Sequence, residues 1–179
     1  MGKSLMDVAV DKLYQALGGD KLTGKLGEVL TAKEVKYVQL FGRKGRILRN
    51  IYVPKDNGET SEIDLLYITQ KGIFVFESKN YSFYNPIKQN QTHIKWLRNY
   101  IGEEIPLFSI IVFSERCELK KVTITSQDIK VIKRDFTYAA VRDIWNKNKD
   151  CLSGEEVESL YKNLQKLTKV SEETKEVHI

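Results

Sequence analysis

The sequence predicts a mixed α/β fold, a central sheet with helices packed on it. Three observations carry that expectation. Apolar residues switch along the chain between helical spacing and strict alternation. The segments run helix, three strands, helix, strand, then further strands and helices. Two alternating runs around residues 62–79 are joined by a short polar turn, which is a hairpin signal. The 179 residues suit one domain over 1–179, long enough to bury roughly 70% of the surface that the unfolded chain exposes.

Leu5, Met6, Ala9, Val10, Leu13 and Leu17 recur at helical spacing, so an N-terminal helix is expected within 1–19, ended by Gly18 and Gly19. A second helix is expected over 23–35. Gly24 and Gly27 fall near its start, where glycine costs ~1 kcal/mol unless close approach requires it. The basic turn 41–46 leads into a strand at 47–53, and 54–61 is a polar loop. Strands follow at 62–69 and 72–79, joined by Gln70 and Lys71. Pro86 opens a helix to about Ile101, with Ile87, Ile94, Leu97 and Ile101 on one face. Residues 107–113 form a buried strand, and 121–125 and 129–132 are weaker ones. Amphipathic helices are expected at 136–146 and 153–167, the second opened by a capping box of Ser153 and Glu156. No internal repeat is visible.

Several classes are excluded. The longest apolar run, 108–113 with Ser109 inside it, falls far short of the ~20 residues that span a bilayer. The first residues lack the apolar core of a signal peptide. Cys117 and Cys151 stand alone, so neither a zinc knuckle nor a disulfide framework is indicated, and His93 and His178 cannot make a histidine-rich metal site. A reducing cytoplasm is the expected compartment, with no membrane partner. The net charge of +5 is unevenly spread: residues 150–179 hold seven acids and four lysines, which leaves +8 on the remainder.

The hairpin holds the chemistry. Asp64, Leu66 and Ile68 share one face of its first strand, and Ile73, Val75, Glu77 and Lys79 share one face of its second. A two-residue turn pairs position 69 with 72 and therefore sets Asp64 opposite Glu77. Facing carboxylates have Cβ atoms only ~5 Å apart and repel. A divalent cation relieves the conflict, and hard oxygen donors favour Mg²⁺ or Mn²⁺ over zinc. Lys79, two residues past Glu77, can reach a metal-bound water or a phosphate oxygen. The bland alternative is a solvated hairpin end whose Glu and Lys form a weak surface ion pair.

Glu62-Ile-Asp64, Gly72-Ile-Phe-Val-Phe-Glu77-Ser-Lys79-Asn and the segment 83–93 with Gln89 and His93 resemble the nuclease-related domain (NERD) family, as does Gly24-Lys-Leu-Gly27-Glu28. That family is similar to the PD-(D/E)xK nuclease superfamily. The resemblance covers roughly residues 22–115. It implies a restriction-endonuclease-like fold with an α-β-β-β-α-β core, here within 22–135, followed by C-terminal helices at 136–169. It implies Asp64, Glu77 and the Ser78 carbonyl as ligands of Mg²⁺ or Mn²⁺, and Lys79 as the group that stabilises the attacking water or the phosphate. Glu28 would add an acid from the first helix, and Gln89 a polar group from the second. In the family a longer stretch rich in Gly and Trp separates the Glu-x-Lys-Asn strand from the Phe-Tyr-Asn-Pro segment. Here the two abut: either that stretch has been lost, or a loop near 82–83 is hidden, and the second is the expectation.

Residues 43–55 carry five basic side chains and no acid. Arg43, Lys44, Arg46 and Arg49 are therefore candidates for phosphate contacts, which are salt-dependent and largely blind to sequence. The expected function is a metal-dependent nuclease that hydrolyses phosphodiester bonds in DNA. Its rivals are a catalytically inactive module that binds nucleic acid or a protein partner, and a structural module with solvated charges.

Overall fold

The computed structural model describes residues 20–79, 85–114, 117 and 129–169, together with residues 8, 9 and 12. In chain order the elements are α1 (Asp20–Leu40), β1 (Gly45–Pro54), β2 (Thr60–Thr69), β3 (Gly72–Lys79), α2 (Pro86–Ile101), β4 (Leu107–Phe113), β5 (Ile129–Lys133), α3 (Thr137–Lys147) and α4 (Gly154–Gln165). Five strands form one sheet in the order β1-β2-β3-β4-β5. β1 and β3 each pair antiparallel with β2, and β4 and β5 run parallel to β3. With α1 ahead of the three strands and α2 in the crossover to β4, this is a restriction-endonuclease-like α-β-β-β-α-β core. The N-terminal helix expected at 5–17 lies outside the described residues except for 8, 9 and 12, which are helical. The strand expected at 121–125 and the 82–83 junction also lie outside them.

The sheet has an apolar layer on each side because its inner strands are apolar on both faces. On one side, Leu65, Tyr67, Phe74, Phe76, Phe108 and Ile110 pack against Ala32, Val35 and Val38 of α1 and Val141 and Ile144 of α3. On the other, Ile63, Leu66, Ile68, Ile73 and Val75 meet Leu97 of α2 and Val157 and Leu164 of α4. Each fully buried aromatic or branched side chain in these layers contributes about 1.5–3 kcal/mol.

Helix α1 runs five residues past its expected end because Val35 and Val38 prolong the buried stripe begun by Ala32. Gly42, at φ 86°, then lets the chain turn. Gly24 departs from expectation: a Cβ there would meet nothing within 4 Å, so no close approach by the protein demands it. Two helix starts follow their sequence signals. Asn85 caps α2 by accepting from the backbone N–H groups of Ile87 and Lys88, with Pro86 next. Ser153 and Glu156 form the reciprocal capping box of α4.

The hairpin adopts the expected register, with Leu65 paired to Phe76 and so on to Thr69 and Gly72. Thr69 Oγ1 accepts from Lys71 N–H and donates to the Gly72 carbonyl, which tightens the turn. The ladder stops one pair short of Asp64 and Glu77. This corrects the expectation of a regular facing pair. On its other edge β2 pairs with β1 at Arg49–Leu65 and again at Ile51–Ile63, but not at Asn50–Asp64. The inward-facing residues change phase there too: Leu66 and Ile68 share a layer with Ile63, and Leu48 shares it with Ile51. Asn50, at φ 52°, supplies the break in the pleat, a conformation that Asn tolerates better than most side chains.

Candidate active site

The pleat break and the early end of the ladder open a cleft of about 450 Å³ at the end of the sheet. It is lined by Gly24 and Glu28 of α1, Lys55, Thr60 to Glu62 and Asp64 of β2 and the preceding loop, Glu77, Ser78 and Lys79 of β3, and Gln89, Thr92 and His93 of α2. Glu28, Asp64, Glu77, Ser78, Lys79 and Gln89, named from sequence, are thus gathered in one place.

Where β2 and β3 separate, the Asp64 side chain substitutes for the missing backbone partner. Its Oδ2 accepts from the Ser78 N–H at 2.7 Å. In a strand the N–H and C=O of one residue project to the same side, so the Ser78 carbonyl faces the same gap as Asp64. The Lys79 carbonyl points the other way and accepts from Ser114 N–H beside β4. The Ser78 hydroxyl donates to Thr31 Oγ1, which in turn donates to the Gly27 carbonyl. This chain ties β3 to the middle of α1 and so holds Glu28 over the cleft.

Glu77 is 1% exposed, so its ion pair with Lys79, at 2.7 Å, is not a solvated one. His93 Nε2 lies 3.2 Å from Glu77 Oε2, off the axis of an aligned hydrogen bond. Its Nδ1 shares a 2.7 Å hydrogen bond with Ser61 Oγ. Burial alone would raise the Glu77 carboxyl, but His93 and Lys79 outweigh it and hold the group below the usual carboxylate range. Asp64 is pushed well above its ordinary value, first by burial and then by the charge of Glu77. Glu28 is raised by burial and then, against the Asn50 amide, by the charge of Glu62. Asn50 Nδ2 stands 3.3 Å from Glu28 and 3.4 Å from Glu62, and Tyr52 donates to Glu62 at 3.0 Å.

Four carboxylates therefore share a cleft in which two cations are lysines. The surplus negative charge and the hard oxygen donors suit Mg²⁺ or Mn²⁺. Among the described residues no group of three His, Cys, Asp or Glu side chains is arranged to hold a metal ion. A cation here would take two carboxylates and a backbone carbonyl.

The basic run divides. Arg49 lies 3.8 Å from Glu28, and Lys55 lines the cleft while pairing with Glu59. Arg43 and Arg46 lie toward the hairpin-turn end of β1, where Gly45 pairs with Thr69. Arg43 donates to Tyr138 of α3, and Arg46 pairs with Glu158 of α4 and sits over Tyr161. They clip the C-terminal helices to the sheet, one on each side, and neither they nor exposed Lys44 line the cleft. Asn50, Ser61 and Thr31 carried no expectation from the sequence, and His93 none beyond its place in the family-like segment 83–93. The available signal was Asn50, a residue that strands disfavour, in the middle of an apolar run.

The chain matches the nuclease-related domain family over residues 23–114. It is also 25% identical to an uncharacterized protein of Bacillus anthracis, over 89% of this chain and 83% of that one. No helix among the described residues is long and apolar enough to cross a membrane.

Proposed function

Because this chain belongs to the nuclease-related domain family, we propose that it is an Mg²⁺- or Mn²⁺-dependent nuclease that hydrolyses phosphodiester bonds in DNA. One observation carries the reading: Asp64, Glu77 and Lys79 converge at the point where the β2–β3 ladder opens, with Lys79 bonded to a fully buried Glu77.

Asp64, Glu77 and the Ser78 carbonyl would hold the cation. When bound, such a cation supplies a Lewis acid for the phosphate and lowers the pKa of a coordinated water. The protein's own groups do the rest. Ser78 N–H fixes Asp64 by one oxygen and leaves the other without a hydrogen bond from the described residues. Lys79, held beside the site by Glu77, is placed to donate to the attacking water or to a phosphate oxygen as negative charge builds there. Gln89 stands across the cleft on α2 and offers a neutral donor to the sugar-phosphate backbone.

The test is cleavage of labelled single- and double-stranded DNA and RNA with Mg²⁺, Mn²⁺ or EDTA, beside Asp64→Ala and Lys79→Ala. Metal-dependent DNA cleavage lost in both variants is expected. DNA binding without cleavage under any metal would favour a nucleic-acid-binding module instead. RNA-only cleavage would correct the substrate.

A further inference from the structure

We infer that His93 is a positioning residue for this reaction: Ser61 holds it as the Nε2–H tautomer, and the ring in turn holds one oxygen of Glu77, leaving the other to Lys79 and the cation. The inference rests on the catalytic reading above and adds to it a residue that the reading does not use.

The three groups come from three elements, Ser61 from β2, Glu77 from β3 and His93 from α2. They are 3%, 1% and 8% exposed, so bulk water cannot satisfy their polar atoms. Glu77 Oε1 is bonded to Lys79 Nζ at 2.7 Å. Glu77 Oε2 is 3.2 Å from His93 Nε2, off the axis of an aligned hydrogen bond, and among the described residues neither atom has a hydrogen-bond partner. An ionised carboxylate only accepts, and an imidazole lone pair aimed at it would repel, so the hydrogen belongs on Nε2. In the neutral ring Nδ1 is then an acceptor, and the 2.7 Å contact makes the Ser61 hydroxyl its donor. Ser61 selects the tautomer, as the remote hydrogen bond of a histidine does in many sites.

The consequence falls on Lys79, whose side chain is 24% exposed while that of Glu77 is 1% exposed. If Lys79 alone held Glu77, turning its ammonium toward a phosphate would release the carboxylate. With Oε2 held from α2, Lys79 can leave Oε1 while Glu77 keeps its place. Groups that orient ligands in this way typically change metal affinity by about 10–100-fold when removed.

The experiment uses the full chain labelled with ¹⁵N at histidine, with circular dichroism to verify that each variant is folded. In metal-free protein the two-bond ¹H–¹⁵N pattern of His93 should report the Nε2–H tautomer, and Ser61→Ala should lose that selection. A Nδ1–H ring or a doubly protonated ring in the wild type would overturn the assignment. Mn²⁺ binding followed by calorimetry should weaken about 10–100-fold in His93→Ala and recover in His93→Gln, whose amide can again donate to Glu77. Wild-type affinity in His93→Ala would overturn the positioning role alone. A wild-type protein that binds no Mn²⁺ would overturn the metal reading, and this role with it.

Discussion

The two ends of the β2–β3 hairpin are built from one alternating pattern and do opposite things. At the turn end, backbone pairs from Leu65–Phe76 to Thr69–Gly72 are closed, and both faces of the strands bury apolar side chains. At the open end the ladder has stopped, Ser78 N–H bonds a side chain instead of a carbonyl, and carboxylates gather where core residues would otherwise sit. The comparison teaches that the cleft is made by withdrawing backbone pairing. A closed ladder would have spent Ser78 N–H on β2, whereas an open one leaves an N–H, a carbonyl and two carboxylates facing a common space. The buried apolar end pays for the electrostatic conflict at the other.

The sharpest way to break this contrast is one substitution at each end. Phe74→Ala, in the closed end and fully buried, should cost about 3–5 kcal/mol in urea unfolding. Asp64→Asn should leave the protein folded, yet lower metal-dependent cleavage by about 100-fold or more, in the range found when a single charge-stabilising group is lost. If Asp64→Asn unfolds the chain as Phe74→Ala does, the open end is structural and the division fails.

A smaller effect is expected at the pleat break. Asn50 sits at φ 52°, so Asn50→Ala should lose about 1–2 kcal/mol to left-handed strain beyond what Asn50→Gly loses. Both variants also remove the amide from Glu28 and Glu62, so their difference isolates the backbone. Equal unfolding midpoints for the two would mean that the kink does not depend on what Asn tolerates.

Titration offers a third lever. Asp64 is raised well above its ordinary 3.8, so the folded state binds its proton more tightly than the unfolded state. Stability in EDTA should therefore fall as pH rises from about 3.8 through the native value, as that proton is lost. Glu77, held below its ordinary 4.5, has the opposite sign: its contribution is present above 4.5 and is lost as pH falls through its native value. Comparing wild type with Asp64→Asn separates the two. The variant's relative stability should climb with pH above 3.8 and then level off, whereas a difference that is flat with pH would remove the repulsion between the two ends of the gap.

Much of this was legible from residue spacing. Register follows from a two-residue turn and a two-residue side-chain period, so Asp64, Glu77 and Lys79 could be brought together before any coordinates. The capping box of α4 and the Pro86 start of α2 are local rules and emerged as written. What could not be read is what depends on losing a rule. Alternation assumes an unbroken pleat, and Asn50 breaks it. The same limit hid the intramolecular partners of the arginines, since a run of like charge says nothing about which helices will fold back over it. Tyr138 and Glu158 lie about a hundred residues away from Arg43 and Arg46 in sequence and claim both. His93 was hidden for a related reason: helical spacing puts it on a face with apolar neighbours, and only the crossing of α2 over β3 brings it to Glu77.

The smallest expected effect tests how the basic run is shared between the two ends. The Arg46–Glu158 pair is about half exposed, so Arg46→Ala should cost no more than about 1 kcal/mol of stability. Arg46 lies away from the cleft and is already engaged, so the salt dependence of DNA binding should stay the same in that variant. Lys55 lines the cleft and its partner Glu59 is largely exposed, so the lysine can exchange that ion pair for a phosphate. Lys55→Ala should lower the slope of log K against log salt by about one and weaken binding evenly across sequences. Fluorescence anisotropy on one labelled duplex at several salt concentrations would measure both slopes. A reduced slope for Arg46→Ala with none for Lys55→Ala would place the DNA across the closed end of the hairpin, and the assignment of one end to the core and the other to the substrate would have to be reversed.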